Sequence, residues 1–150
     1  MTVELRPVTK DDFRAIIKLE VAPEQAGFVA PNVVGIAETH IYPEAEPRAV
    51  YADGELVGFV LLHPGERPGE HVLVRLMIDH RFQGRGLGRQ ALEAAVGYAV
   101  REHEAETVRL SFVPSNDRAR ALYLSAGFTE TGEIDDGETV MVRKVTGDRR

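Results

Sequence analysis

The chain has no cysteine, so no disulfide staples its fold and its chemistry uses neither a thiolate nucleophile nor a thiolate-bound zinc. No apolar run approaches the ~20 residues of a membrane span. Met1 to Pro7 enters a strand-like pattern directly, without the apolar core of a signal peptide. Basic clusters are missing too, apart from the terminal Arg149-Arg150, and the net charge is −6. That balance argues against nucleic acid as the main partner and favours a cationic small molecule. The expectation is a cytoplasmic protein with no membrane partner.

What is present fits one domain spanning 1–150. A chain of this length can remove roughly 68–70% of its unfolded surface from water, and 43% hydrophobic with 28% charged residues is an ordinary globular composition. The core is expected over about 3–145, with 146–150 a disordered tail.

Val3, Leu5 and Pro7 alternate with polar residues and predict a first strand. Thr9 reads as a helix cap, followed by Asp11 and Asp12 in the first turn and by Phe13, Ile16 and Ile17 at helical spacing. After Pro31, Val33, Ile36, Ala37 and His40 line one face of a second helix. Asp53-Gly54 between the β-rich runs 48–52 and 55–62 is a hairpin signal. A further strand carries VLVRLMI at 72–78. Leu87, Leu92, Ala95, Val96, Ala99 and Val100 then mark a long helix, 108–113 a strand, 116–126 a helix closed by Gly127, and Val140 to Val142 one final strand. The predicted fold is α/β, a mixed and mostly antiparallel sheet flanked by helices on both faces.

In RFQGRGLGRQAL, glycines 84, 86 and 88 stand between the strand ending near Ile78 and the helix beginning near Leu87. Glycine lets a ligand approach bare backbone, and the first amides of a helix have no internal partner. An anion belongs there. Arg85 and Arg89 flank the turn and could add charge toward phosphates. The plainer reading is a glycine-rich connection and nothing more. A Walker loop is excluded because Arg89-Gln90 follows Gly88 where Lys-Ser or Lys-Thr is required. A dinucleotide fingerprint is disfavoured because the spacing is G-x-G-x-G and antiparallel-type strands precede the turn.

Gln83-Gly84-Arg85-Gly86-Leu87-Gly88 resembles the Q/R-x-x-G-x-G/A signature of the GNAT superfamily of N-acetyltransferases. Asn116-Asp117-Arg118-Ala119-Arg120-Ala121-Leu122-Tyr123, then Ala126-Gly127-Phe128, resembles that superfamily's second conserved segment. The resemblance spans about Val3 to Val142. It implies acetyl-CoA as co-substrate, no metal, and a pyrophosphate held at Gln83 to Arg89. It also implies pantetheine paired with the backbone of Leu76, Met77 and Ile78, and Asn116 near the pantetheine arm. Asn116 reads equally as a helix cap. Tyr123 falls where the superfamily places a general acid that protonates the departing thiolate, a task suited to a phenol with an ordinary pKa near ~10; read from helical spacing alone it is a core aromatic. Superfamily members often dimerise, so a homodimer is a further expectation.

Leu19 to Asn32 reads L-x-V-x-P-x-Q-x-x-F-V-A-x-N and resembles the bacterial diamine and spermine/spermidine acetyltransferases. Those enzymes act on polyamines. Glu20, Glu24 and Glu38, with Glu44 or Glu46, could form an acidic cleft for such a cation, though each taken singly reads more readily as a solvated glutamate on a helix face. Asp79-His80 follows the pantetheine strand, and His80 could titrate near neutrality. Arg75 departs from the carboxylate base that many members place on this strand, so the base must lie elsewhere or be water. Two alternatives stay open: an acetyltransferase for a protein, peptide or drug amine, and a noncatalytic acyl-CoA-binding module.

Overall fold

A computed structural model of the chain describes residues 2–145; the tail expected at 146–150 lies outside the described residues. Seven strands form one sheet in the order β1-β2-β3-β4-β5-β7-β6. They are β1 (Val3–Pro7), β2 (Glu46–Ala52), β3 (Glu55–Pro64), β4 (Glu70–Ile78), β5 (Thr107–Phe112), β6 (Thr129–Asp135) and β7 (Glu138–Lys144). The helices are α1 (Phe13–Lys18), α2 (Asn32–Ile41), α3 (Leu87–His103) and α4 (Asp117–Ser125). None is long and apolar enough to cross a membrane.

Alternation along β3 sets the two layers. Val60 and Leu62 face a cluster completed by Leu87, Leu92, Ala95 and Ala99 of α3, by Tyr123 of α4 and by Ala126 at its C-terminal cap. Phe59 and Leu61 face the opposite side, with Ile16 of α1, Leu19 and the partly buried Ile36 of α2. Helices therefore cover both faces, as expected. The predicted hairpin forms at Asp53-Gly54, both left-handed at φ 49° and 84°, the backbone that a two-residue turn between twisted strands requires.

Two local expectations are corrected. Thr9 does not cap α1; Asp12 does, and its Oδ1 accepts from the Thr9 amide at 2.7 Å while the Thr9 carbonyl accepts from the Phe13 amide. A turn thus precedes the helix. The single final strand is a hairpin of two, β6 and β7, and β6 is exposed throughout. As an edge strand exposed at every position, it carries no buried face to imprint alternation on its sequence.

One irregularity governs the rest. Leu61 pairs with Arg75 but Leu62 pairs with Leu73, which leaves Val74 as an extra, exposed residue in β4. Such a bulge reverses the alternation: Leu73 lies on the α3 side, whereas Arg75 and Met77 turn to the α1/α2 side. Below the bulge, β4 pairs in parallel with β5 through Glu70–Val72 only. Beyond it the two strands part, and β5 goes on pairing with β7.

Candidate active site

The splay between β4 and β5 opens a cleft of roughly 690 Å³, lined along β4 by Leu73 to Ile78, across from it by Ser111, Phe112 and Val113, and at one end by the glycine turn. Its size is that of a small-molecule or coenzyme site. The amides of β4 past Val72 have no β5 partner, so this edge can pair with an added extended chain. Leu76, Met77 and Ile78 are all on it.

At the turn, Gly84 and Gly86 are left-handed, φ 81° and 77°, and a methyl group added to either would meet no protein atom within 4 Å. Gly86 is the N-terminal cap of α3, so the next amides point out of the helix as donors. Gly84, Gly86, Leu87, Gly88 and Arg89 line the cleft. Gln83 lines it too, and its Nε2 donates to the Ile78 carbonyl and to Gln25 Oε1, each at 2.9 Å. Arg85 is not part of the lining; it is exposed, with its guanidinium 5.6 Å from the Phe82 ring centre. Arg118, a lining residue not singled out from sequence, donates to Gln83 Oε1 at 3.2 Å. It stands two residues past Asn116, within the second motif, which was the available signal.

Asn116 serves as the cap of α4, its Oδ1 accepting from the Ala119 amide at 3.2 Å, and it borders the cleft as well. Tyr123 combines its two readings. Its ring packs between Phe112 and Phe128 at 5.8 and 6.0 Å, and it is only 9% exposed, yet it lines the cleft. Burial first, and then the charge of Glu138, push its phenol up to about 12. It therefore holds its proton at any physiological pH.

The acidic cleft expected from Glu20, Glu24 and Glu38 is not brought together. Glu24 is exposed on a short turn at Pro23–Gln25. Glu20 borders a separate surface hollow with Glu55, Asp79, His80 and Arg81, and its amide donates to Asp79 Oδ2 at 3.0 Å. Glu38 accepts a hydrogen bond from Arg75 Nη2, so its charge is already answered. Acidity in a sequence does not say where a carboxylate points. The acid that does line the cleft is Glu138.

Asp79 is buried. Burial alone would raise its pKa, but bonds from the Arg81 side chain and from the amides of Arg81 and Glu20 outweigh it and hold the carboxyl below its usual range. Its part is to fix the start of the glycine turn. His80 is exposed on that turn. Glu46, His71 and His103 bring one ligand-type atom each within 4.8 Å of one another, outside the cleft lining. His103 Nε2 lies 3.0 Å from Glu46 Oε2, to which Tyr98 also donates, whereas Glu46 Oε1 and His71 Nε2, 3.4 Å apart, are buried without a hydrogen-bond partner.

Comparison with known proteins agrees with this arrangement. Residues 13–128 match the family model described as the acetyltransferase (GNAT) family. The spermine/spermidine N(1)-acetyltransferase of Bacillus subtilis is 33% identical over 155 residues, covering 97% of this chain and all of the relative. The spermidine N(1)-acetyltransferase of Escherichia coli K12 is 26% identical over 89% of this chain and 76% of its own. Among solved structures, spermidine N-acetyltransferase from Vibrio cholerae in complex with CoA and spermine superposes with a TM-score of 0.75 at 20% identity, over 94% of this chain and 93% of that one. Aminoglycoside acetyltransferase AAC(6')-Ib with coenzyme A and kanamycin gives 0.79 at 22% identity, over 95% of each. The family match over most of the chain and the 33% identity over nearly all of it agree with the fold, and the chain belongs to the GNAT family of N-acetyltransferases.

Proposed function

We propose that this protein transfers the acetyl group of acetyl-CoA directly to a primary amine of a polyamine or diamine such as spermidine or spermine. The observation that carries the reading is the convergence, in one cleft, of an unpaired strand edge, a helix start without side chains, and a protonated phenol. The relatives matched over nearly the whole chain act on spermine and spermidine, which supports the acceptor class.

In this reading the amides following Gly86 receive the coenzyme's pyrophosphate, with Arg89 and Arg118 adding charge beside them. The free edge of Leu76 to Ile78 aligns the pantetheine arm, and a strand amide near Met77 or Ile78 polarises the thioester carbonyl. The acceptor nitrogen bonds to the acetyl carbon as the carbon–sulfur bond breaks. The amine proton leaves through water, since Arg75 stands where a carboxylate base would be, and Tyr123 gives its proton to the departing thiolate. No step of this route uses a metal. The small-amine chemistry and acidic chain support work in the cytoplasm, without nucleic acid or membrane, and a homodimer is part of the proposal.

Incubation with acetyl-CoA and spermidine should give monoacetylated spermidine by mass spectrometry. Acetylation of a peptide or an aminoglycoside, with none of spermidine or diamines, would overturn the acceptor class. Coenzyme binding without any acetyl product would favour a noncatalytic acyl-CoA module.

A further inference from the structure

Glu138, the first residue of β7, is the one carboxylate among the described residues that line the cleft. Its position is fixed. Ser111 Oγ of β5 donates to its Oε1 at 2.8 Å, and the next residue, Thr139, pairs with Phe112. The carboxylate therefore sits on the β5–β7 wall, across the splay from β4 and on the same side as Tyr123, whose ionisation its charge opposes.

Three acids of the neighbouring strand β6 already have cations. Glu133 and Asp135 lie 2.9 and 3.8 Å from Arg109, and Glu130 lies 2.8 Å from Arg120. Across the cleft, Glu38 is taken by Arg75. Glu138 enters none of the ion pairs formed among the described residues, and its one hydrogen-bond donor is a neutral hydroxyl. A half-buried carboxylate facing a largely apolar cleft is poorly solvated, and a cation delivered by the ligand relieves that cost.

We infer that Glu138 is a subsite for a second ammonium group of the acceptor, separate from the amine that is acetylated, and that it selects diamines and polyamines over monoamines. The inference rests on the polyamine reading above and names the residue that enforces it. It also couples selection to chemistry. An ammonium at Glu138 cancels one of the two causes that raise the Tyr123 phenol, so the proton donor is eased when a multiply charged acceptor is in place. A monoamine leaves the charge unanswered.

The test is Glu138→Gln, which keeps shape and the Ser111 bond while removing charge. It is assayed with spermidine, a short diamine and an alkyl monoamine of similar length, each at saturating acetyl-CoA. The ratio of kcat/KM for spermidine to that for the monoamine should fall at least about tenfold, mainly through the spermidine KM, with the acetyl-CoA KM within about twofold. Glu138→Asp should retain part of the preference. Ser111→Ala, which only frees the carboxylate, should shift the ratio the same way by less, and it stands as the test if Glu138→Gln melts early. An unchanged ratio, in a protein that acetylates spermidine, overturns the subsite alone. If the unaltered protein acetylates no diamine or polyamine, the polyamine reading falls and the subsite with it.

Discussion

Gln83 Nε2 donates to the Ile78 carbonyl at 2.9 Å, which ties the glycine turn to the last residue of β4. The same amide group holds Gln25 on the opposite wall, and its oxygen accepts from Arg118. One side chain thus sets the angle between the pyrophosphate turn and the strand edge. Gln83→Ala should raise the acetyl-CoA KM about fivefold, the equivalent of ~1 kcal/mol for a lost internal hydrogen bond. Steady-state kinetics should show kcat close to the unaltered value.

Gly86→Val separates coenzyme binding from folding. A β-branched residue at φ 77° costs about 1–2 kcal/mol of backbone strain but strikes no protein atom. Melting should fall by about 2–8 °C. Titration calorimetry should show acetyl-CoA affinity reduced at least about tenfold, because the new side chain occupies space meant for the ligand.

Tyr123→Phe should lower kcat by about 10²–10⁴ and leave the acetyl-CoA KM within about twofold, the mark of a proton donor rather than a binding contact. Its pH dependence has a definite sign. A phenol raised to about 12 in the folded protein adds stability fully present below its unfolded value near ~10, and this is lost as pH climbs from there to about 12. Alkaline melting curves of the unaltered protein should fall through that window, and those of Tyr123→Phe should fall less.

Arg75 and Glu38 are a structural pair, with Arg75 Nε buried and bonded to nothing. Glu38→Ala should destabilise by about 1–3 kcal/mol, because it strands a largely buried guanidinium. Arg75→Met combined with Glu38→Gln should recover most of the loss. Chemical denaturation of the unaltered protein and these two variants checks it. Spermidine KM should change little in Glu38→Ala, since Glu38 faces Arg75 and is not part of the cleft lining.

Much of this was legible in the sequence because the relevant signals are local. The Asp53-Gly54 hairpin, the apolar stripe from Leu87 to Val100 and the bare turn at 84–88 each follow from a few adjacent residues. β6 was not legible, since Thr129–Asp135 is exposed at every position and interrupted by Gly132 at φ 84°. The β4 bulge was hidden by the run VLVRLMI, in which apolar residues stand on both sides of the single polar one, Arg75, so no alternation marks a change of face. Arg75 was noticed as a departure, but only the reversal at Val74 shows why it meets Glu38. Glu138 was missed for a related reason. Its value comes from standing across a splay from β4, a relation made by strands far apart in sequence, whereas Glu20, Glu24 and Glu38 drew notice by lying near a recognisable motif.

The most direct measurement is the release of free thiol from acetyl-CoA across a panel of amines: spermidine, spermine, short diamines, alkyl monoamines, an aminoglycoside and an N-terminal peptide. Saturable turnover with the polyamines and diamines, well above that with monoamines or peptide, is the expected result. Thiol release with the peptide or the aminoglycoside alone, or with no amine at all, would contradict it.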